Sequence, residues 1–416
     1  MYGKDLANSR NGGRGGPSPS AVRRLGGVWS FQSSDGGFTG TPVVGGGKVV
    51  VASIRGSVFA LDSATGRLRW SRDFNQQIYA SVAIVGGRVY VPVSGDQGRP
   101  SVVALALADG RTLWQTVLVD QSGADLYSSP VVVGRSLYIG TSAGLGEYLD
   151  PNVRIRGSVV ALDSVTGRLR WKTYTVPGGY DGGAVVTSAA VDTRRGRLFV
   201  GTGNAYHQPA AASTDAILAL DTRTGRRLGA FQATRHDVFT DRSVDPGPDL
   251  DFGASPNLFP GPDGRTLVGE VQKSRVYWAL DDRNMRRVWS RRASTTRNHA
   301  DLDTLASTAY DGHLIYGQSD DGQVWALGRG GRFRWTTRPS GLENYSPVAT
   351  ANGVVYSISK AGFLIARQAT TGALLARMPL EARCWGGISI AGGSIFAVTG
   401  TDATPNGYVV AYRPRP

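Results

Sequence analysis

Seven times along this chain an apolar strand runs into a turn containing Asp and Gly, and then into a basic strand that usually ends in Trp. A unit of this kind cannot bury its apolar face alone, so the copies must stack on one another. The clearest copies are VFALDSATGRLRW ending at Trp70, VVALALADGRTLW at Trp114, VVALDSVTGRLRW at Trp171 and VYWALDDRNMRRVW at Trp289. Degenerate copies end at Phe231, Trp335 and Met378. The end points are 44, 57, 60, 58, 46 and 43 residues apart, around the period of four-stranded propeller blades, with inserted loops in the three longer intervals.

Within each unit apolar and polar residues alternate, as in GRVYVPV and GGSIFAV, and Gly, Asp-Gly or Thr-Gly separates the runs. That period of two, with no amphipathic helical stretch, specifies antiparallel strands. The Asp of each turn (Asp62, Asp163, Asp221 and Asp281) is expected to accept from backbone N–H groups two residues on, a structural role. The C-terminal stretch supplies strands at Ser394–Val398 and Tyr408–Tyr412 without a closing Trp strand, whereas Val28-Trp29-Ser30-Phe31 is a closing strand without a blade, 41 residues before Trp70. The two ends are therefore expected to share one blade, which removes the open sheet edge and brings the count to eight. Residues 21–416 form one propeller domain in this reading. Residues 1–20, rich in Gly, Pro, Asn and Ser, are expected to be a flexible lead-in.

The chain carries a net charge of +14 and a pI near 10.1. Only five of its basic residues are lysines (Lys4, Lys48, Lys172, Lys273 and Lys360), and the arginines recur in the GRLRW strand of successive blades. Charge spread in this way reads as outer-strand solvation, so no nucleic-acid partner is expected. The single cysteine, Cys384, excludes an internal disulfide framework, and no C-x-x-C-H haem attachment occurs. No run of about 18 apolar residues predicts a membrane span. The expected compartment is periplasmic or extracellular if a leader has been removed, and cytoplasmic otherwise. A propeller needs no partner for stability, so a monomer is expected.

Several short motifs reduce to turns. Gly140-Thr141-Ser142-Ala143-Gly144 fits G-x-S-x-G but lacks the strand-turn-helix context of a nucleophile elbow. His236, His299 and His313 have no metal-ligand spacing, and neither Asp320-Asp321-Gly322 nor Asp301-x-Asp303 continues as a calcium loop. The informative departures are the three long loops, which hold Glu147, Asn204, and Asp249 with Asp251. Carboxylate and amide oxygens converging from neighbouring blades are what a hard cation such as calcium requires.

Over nearly its whole length the chain resembles the pyrroloquinoline-quinone (PQQ)-dependent alcohol dehydrogenases, eight-bladed quinoprotein propellers with tryptophan-docking repeats, and within them the polyvinyl alcohol dehydrogenase branch. The segments that carry the resemblance are YGKDLANSR, RGSVVALDSVTGRLRWKTY, GTGN, PDLDFGASP and QKSRVYWALD. The resemblance implies that Glu147, Asn204 and Asp251 bind calcium, and that Asp251 is also the catalytic base. It implies that Lys273 contacts the quinone, with Arg156 and Trp385 as further cofactor-binding positions. In the reaction implied, Asp251 takes the alcohol proton while hydride passes to a quinone carbon whose carbonyl calcium polarises. Gly253 stands where lanthanide-using relatives carry an extra aspartate, which favours calcium. A small-molecule or polymer alcohol is the implied substrate, and a separate cytochrome is the implied electron acceptor. Substrate choice is expected to reside in the loops between Leu145 and Arg156 and between His236 and Pro256.

Two departures from the family pattern matter. Val186 stands at the position aligned with the tryptophan on which the quinone stacks, and the chain has no Cys-Cys pair. Two alternatives to the dehydrogenase therefore remain open. One is an enzyme or pseudoenzyme that does without PQQ and uses Asp251, Asn204, His236 or Lys273 for acid–base work in the same pocket. The other is a non-catalytic propeller scaffold for protein binding.

Overall fold

Each repeat folds as a four-stranded antiparallel meander, because its turns place apolar faces in register at a period of two. The computed structural model describes residues 1–416 except 96–98, 144–146, 148–149, 151, 242, 244–245, 295–303 and 341–343. His299, Asp301, Asp303, Gly144 and Leu145 therefore lie outside the described residues. The described residues form eight such sheets: blades 1 to 7 span 43–73, 83–117, 131–174, 190–232, 257–292, 309–336 and 349–379. The eighth blade joins three C-terminal strands to Leu25–Ser33, which pairs with Gly407–Pro414 from Leu25↔Pro414 to Ser33↔Gly407. The innermost strands of the eighth and first blades touch, which closes the ring. The fold is thus an all-β eight-bladed propeller with the two chain ends sharing the closing blade. Among the described residues no helix is long and apolar enough to cross a membrane.

Tryptophan docking holds neighbouring blades together. In six of the eight blades the indole of the outer strand lies over the turn glycine of the next blade, so that a Cβ on Gly66, Gly110, Gly167, Gly225, Gly331 or Gly372 would collide with Trp29, Trp70, Trp114, Trp171, Trp289 or Trp335 respectively. Each of these glycines also has a positive φ, which a turn at this point requires. The indole Nε1 donates to a carbonyl of the next blade, at 3.0 Å for Trp70 and Leu107 and 2.8 Å for Trp335 and Ala369. The turn acids behave as expected: Asp62 Oδ1 accepts from Ala64 N at 3.1 Å and Thr65 N at 2.9 Å, with the same pattern at Asp163.

Strand register corrects the end points of two degenerate copies. Trp70, Trp114, Trp171, Trp289 and Trp335 all face the central Ala of the preceding strand. In blades 4 and 7 that position is held by Gly229 and Ala376, and Phe231 and Met378 lie two residues further on. A pattern search selects the nearest bulky residue, whereas the ladder fixes which residue meets the next blade.

Residues 1–20 are not a loose lead-in. They run along the inner strands of successive blades, where Leu6, Ala7, Ser9 and Arg10 carbonyls accept from Val191, Leu258, Tyr310 and Thr350 N–H groups. Asn8 is buried and donates to Ser188 O and Pro256 O; Arg10 is buried and donates to Val348 O. The segment satisfies inner-strand backbone groups that would otherwise lack partners, which is why its polar composition does not leave it free. Between this strap and the inner strands is a cavity of about 220 Å³, lined in part by Tyr2, Lys4, Arg10, Val43, Ile84 and Ile390.

Candidate active site

Directly against the N-terminal strap, whose Tyr2 hydroxyl donates to Ser307 Oγ at 2.8 Å and whose Asn8 amide donates to Ser188 O at 2.9 Å, the loops that enter the innermost strands are tied together by a belt of hydroxyl groups. The backbone N–H groups of Thr41, Ser81, Ser129, Ser188 and Ser255 donate to Oγ of Ser81, Ser129, Ser188, Ser255 and Ser307 respectively, at 2.7 to 3.1 Å. This belt is buried and fixes the height at which each crossing loop meets the axis.

Above the belt, between blades 4 and 5, the loop carrying Asp249 and Asp251 meets the hairpin carrying Lys273. Lys273 Nζ lies 2.8 and 2.9 Å from the two oxygens of Asp249 and makes a charge contact of 3.1 Å with Asp251 Oδ1. Lys273 N–H also donates to Asp251 O at 3.1 Å. The acidic turn is held from beneath by Asp237, which is fully buried and accepts from Asp249 N at 3.3 Å and Leu250 N at 2.7 Å. The Lys273 hairpin is anchored to blade 6 by Arg275, whose Nε and Nη2 bind Asp320 at 2.7 and 2.6 Å. Gly203 of GTGN leaves room for the site: a Cβ there would sit 3.2 Å from Asp251 Oδ2.

Three further acids share this space. The Glu147 carboxyl is pushed up to about 8, first by burial and then by the charge of Asp251, with Lys273 opposing. Asp215 is pushed up to about 9, by burial and then by Asp237 and Asp251. Glu270 is raised well above its ordinary range by burial and then by Asp251. Asp215 and Glu270 are fully buried; among the described residues neither Glu270 oxygen has a hydrogen-bond partner, and at Asp215 a hydrogen bond from Thr214 only partly opposes the effect of burial. Such groups hold their protons at neutral pH, because burial and the neighbouring carboxylates penalise the charged form.

The structure brings Glu147, Asp251 and Lys273 together and sets Asn204 beside them. The Asn204 amide donates to Ala205 O at 3.0 Å and Phe239 O at 2.6 Å, so its remaining function is that of an acceptor oxygen. Arg156 and Trp385 are not part of this group. The Arg156 guanidinium lies 3.8 Å from the Tyr174 ring centroid on the outer strand of blade 3, and Trp385 enters the closing blade, edge-on to Tyr345. His236 and His313 are exposed, and Ser142 is paired through its backbone with Asp125. Sequence reasoning missed Asp215, Asp237 and Glu270. Of these only Glu270 leaves a local signal, an acid inside the apolar strand Thr266–Val271. Among the described residues no three His, Cys, Asp or Glu side chains form a ready metal cage, so a cation here would be held by two carboxylates and one amide.

A family model described as "Outer membrane protein assembly factor BamB" matches residues 21–244 and 260–415. Among curated proteins the chain is 29% identical to a polyvinylalcohol dehydrogenase of a Pseudomonas species, over 70% of this chain and 50% of that one. The chain spans about half the length of the curated relatives it matches. Among solved structures it resembles the quinohemoprotein alcohol dehydrogenase ADHIIG of Pseudomonas putida HK5, with TM-score 0.84 and 18% identity over 99% of this chain and 79% of that one. It also resembles BamB of Moraxella catarrhalis, with TM-score 0.68 and 15% identity over 94% and 99% respectively. At these identities the structural likenesses speak for the fold alone. With most of its length on the family model and polyvinylalcohol dehydrogenases among its relatives, the chain belongs to the PQQ_2 family of tryptophan-docked, quinoprotein-type propellers.

Proposed function

We propose that this protein is a quinoprotein-like oxidoreductase that oxidises an alcohol in the axial pocket above the hydroxyl belt. The observation that carries the reading is Lys273 held against both Asp249 and Asp251, with Glu147 close enough to feel their charge. A non-catalytic scaffold has no need of so costly a concentration of buried charge. A bound quinone would supply a two-electron acceptor, and a bound calcium ion a Lewis acid.

The chain's own residues supply the proton chemistry and the orientation. Asp251 is the general base: its carboxylate, held at Oδ1 by the 3.1 Å charge contact with Lys273 Nζ, accepts the proton of the substrate hydroxyl. Lys273 stands between the two aspartates and presents its side-chain nitrogen to the pocket. Glu147, Asn204 and Asp251 would hold the cation. The donor chemistry supports this, since the amide hydrogens of Asn204 are already committed to carbonyls and its oxygen remains. A small or polymeric alcohol as substrate, a separate cytochrome as electron acceptor and an exported location belong to the same proposal.

The test is calorimetric titration with PQQ and calcium chloride, paired with dye reduction over a panel of alcohols and Asp251→Asn as control. Calcium-dependent binding with turnover that needs Asp251 is the expected result. No binding at tens of micromolar would overturn the reading. It would favour the scaffold that the BamB likeness suggests.

A further inference from the structure

The hydroxyl belt gives a register for the pocket floor. Thr41, Ser81, Ser129, Ser188, Ser255, Ser307, Pro347 and Gly387 hold equivalent positions, with Gly387 packed between Pro347 and Thr41. Two residues before each stands another set of eight: Thr39, Tyr79, Tyr127, Val186, Gly253, Leu305, Tyr345 and Trp385. The belt residues are buried, and every residue of the second set is half-buried. Neighbours in this set touch around the axis. Tyr79 and Tyr127 stack at 4.6 Å and 17°, Tyr345 and Trp385 meet edge-on at 6.1 Å, Thr39 Oγ1 donates to Tyr79 O, and a Cβ on Gly253 would strike Leu305. The second set is therefore the floor of the axial pocket.

The floor has two sectors. Val186, Gly253 and Leu305 lie in blades 4 to 6, beside the lysine and acids. The aromatic sector, Tyr345, Trp385, Tyr79 and Tyr127, runs through blades 7, 8, 2 and 3, interrupted only by Thr39. Lys360 Nζ stands 5.5 Å from the Tyr345 ring centroid, and the indole Nε1 of Trp385 is buried without a partner. We infer that this aromatic sector is a binding platform for a flat, conjugated, anionic ligand, with Lys360 as a flanking cation. Aromatic faces match a conjugated ring system by stacking, and an ammonium at the edge of the platform matches carboxylates. The inference rests on the quinone reading and deepens it: the stacking face absent at Val186 is supplied by a different part of the same floor.

PQQ is the probe, and the readouts are calorimetric Kd and quenching of protein fluorescence, both independent of turnover. Tyr345→Ala and Trp385→Ala are expected to raise Kd about tenfold, the scale of one aromatic contact. Lys360→Gln is expected to raise it severalfold, Val186→Ala to leave it unchanged, and Trp385→Phe to retain most of the affinity in a folded propeller. Unchanged affinity in Tyr127→Ala, Tyr345→Ala and Trp385→Ala, each folded as judged by circular dichroism, would overturn the platform while leaving the quinone reading intact. Absence of PQQ binding to the unaltered protein would overturn both.

Discussion

Lys273 and Asp251 are joined twice, by a 3.1 Å contact between Nζ and Oδ1 and by a hydrogen bond from the Lys273 N–H to the Asp251 carbonyl. The backbone bond fixes the two loops relative to each other whatever the side chains do. The side-chain contact is thus electrostatic and can be altered without dismantling the turn.

It follows that Asp251→Asn should leave the fold close to unaltered, weaken the calcium-dependent binding to which Asp251 contributes, and lower kcat/KM for alcohol oxidation by about 10² to 10⁴, the range of a lost general base. Steady-state dye reduction alongside circular dichroism tests this. An Asn variant with full activity would remove Asp251 from the chemistry.

Calcium affinity should depend on pH through Glu147. Its carboxyl holds a proton up to about 8, and a cation needs the carboxylate, so binding should strengthen as pH rises through that value and release a proton. Titrations at pH 6.5 and 9 in buffers of different ionisation enthalpy measure both effects. Glu147→Gln should weaken binding and abolish its pH dependence.

Glu270 and Asp215 are acids raised by burial, so the folded state binds more protons than the unfolded one and stability should fall as pH rises above the ordinary carboxylate range. Glu270→Gln mimics the protonated form. Thermal unfolding should find it equal to the unaltered protein near pH 5 and more stable at pH 9, by roughly 1 to 3 kcal/mol. Parallel curves for the two proteins across that window would show that Glu270 does not titrate as argued.

The seam between blades 4 and 5 replaces the docking pair. Met285, at φ 58°, occupies the turn position, and its Cγ would lie 2.8 Å from a Cβ on Gly229. Gly229→Trp alone should clash and Met285→Gly alone should leave a void, whereas the double variant rebuilds the stack seen at six other seams. Chemical denaturation should give a favourable coupling of about 1 to 2 kcal/mol.

The sequence by itself determined the strand meander, the number of blades and the shared closing blade, because a period of two, fixed turn acids and a repeated Trp are local signals. The long loops also singled out Glu147, Asn204 and Asp251 as candidates, and the family resemblance added Lys273. Tertiary structure alone decided the rest. Gly229 and Ala376, rather than Phe231 and Met378, hold the docking register because a ladder shift of two residues is invisible in composition. Residues 1–20 are bound because the inner strands offer them N–H groups, a property of distant segments. Asp215, Asp237 and Glu270 surround Asp251, and an aromatic sector stands opposite Val186, only because ring closure brings residues from different blades to one axis; no pattern within a single repeat records that proximity.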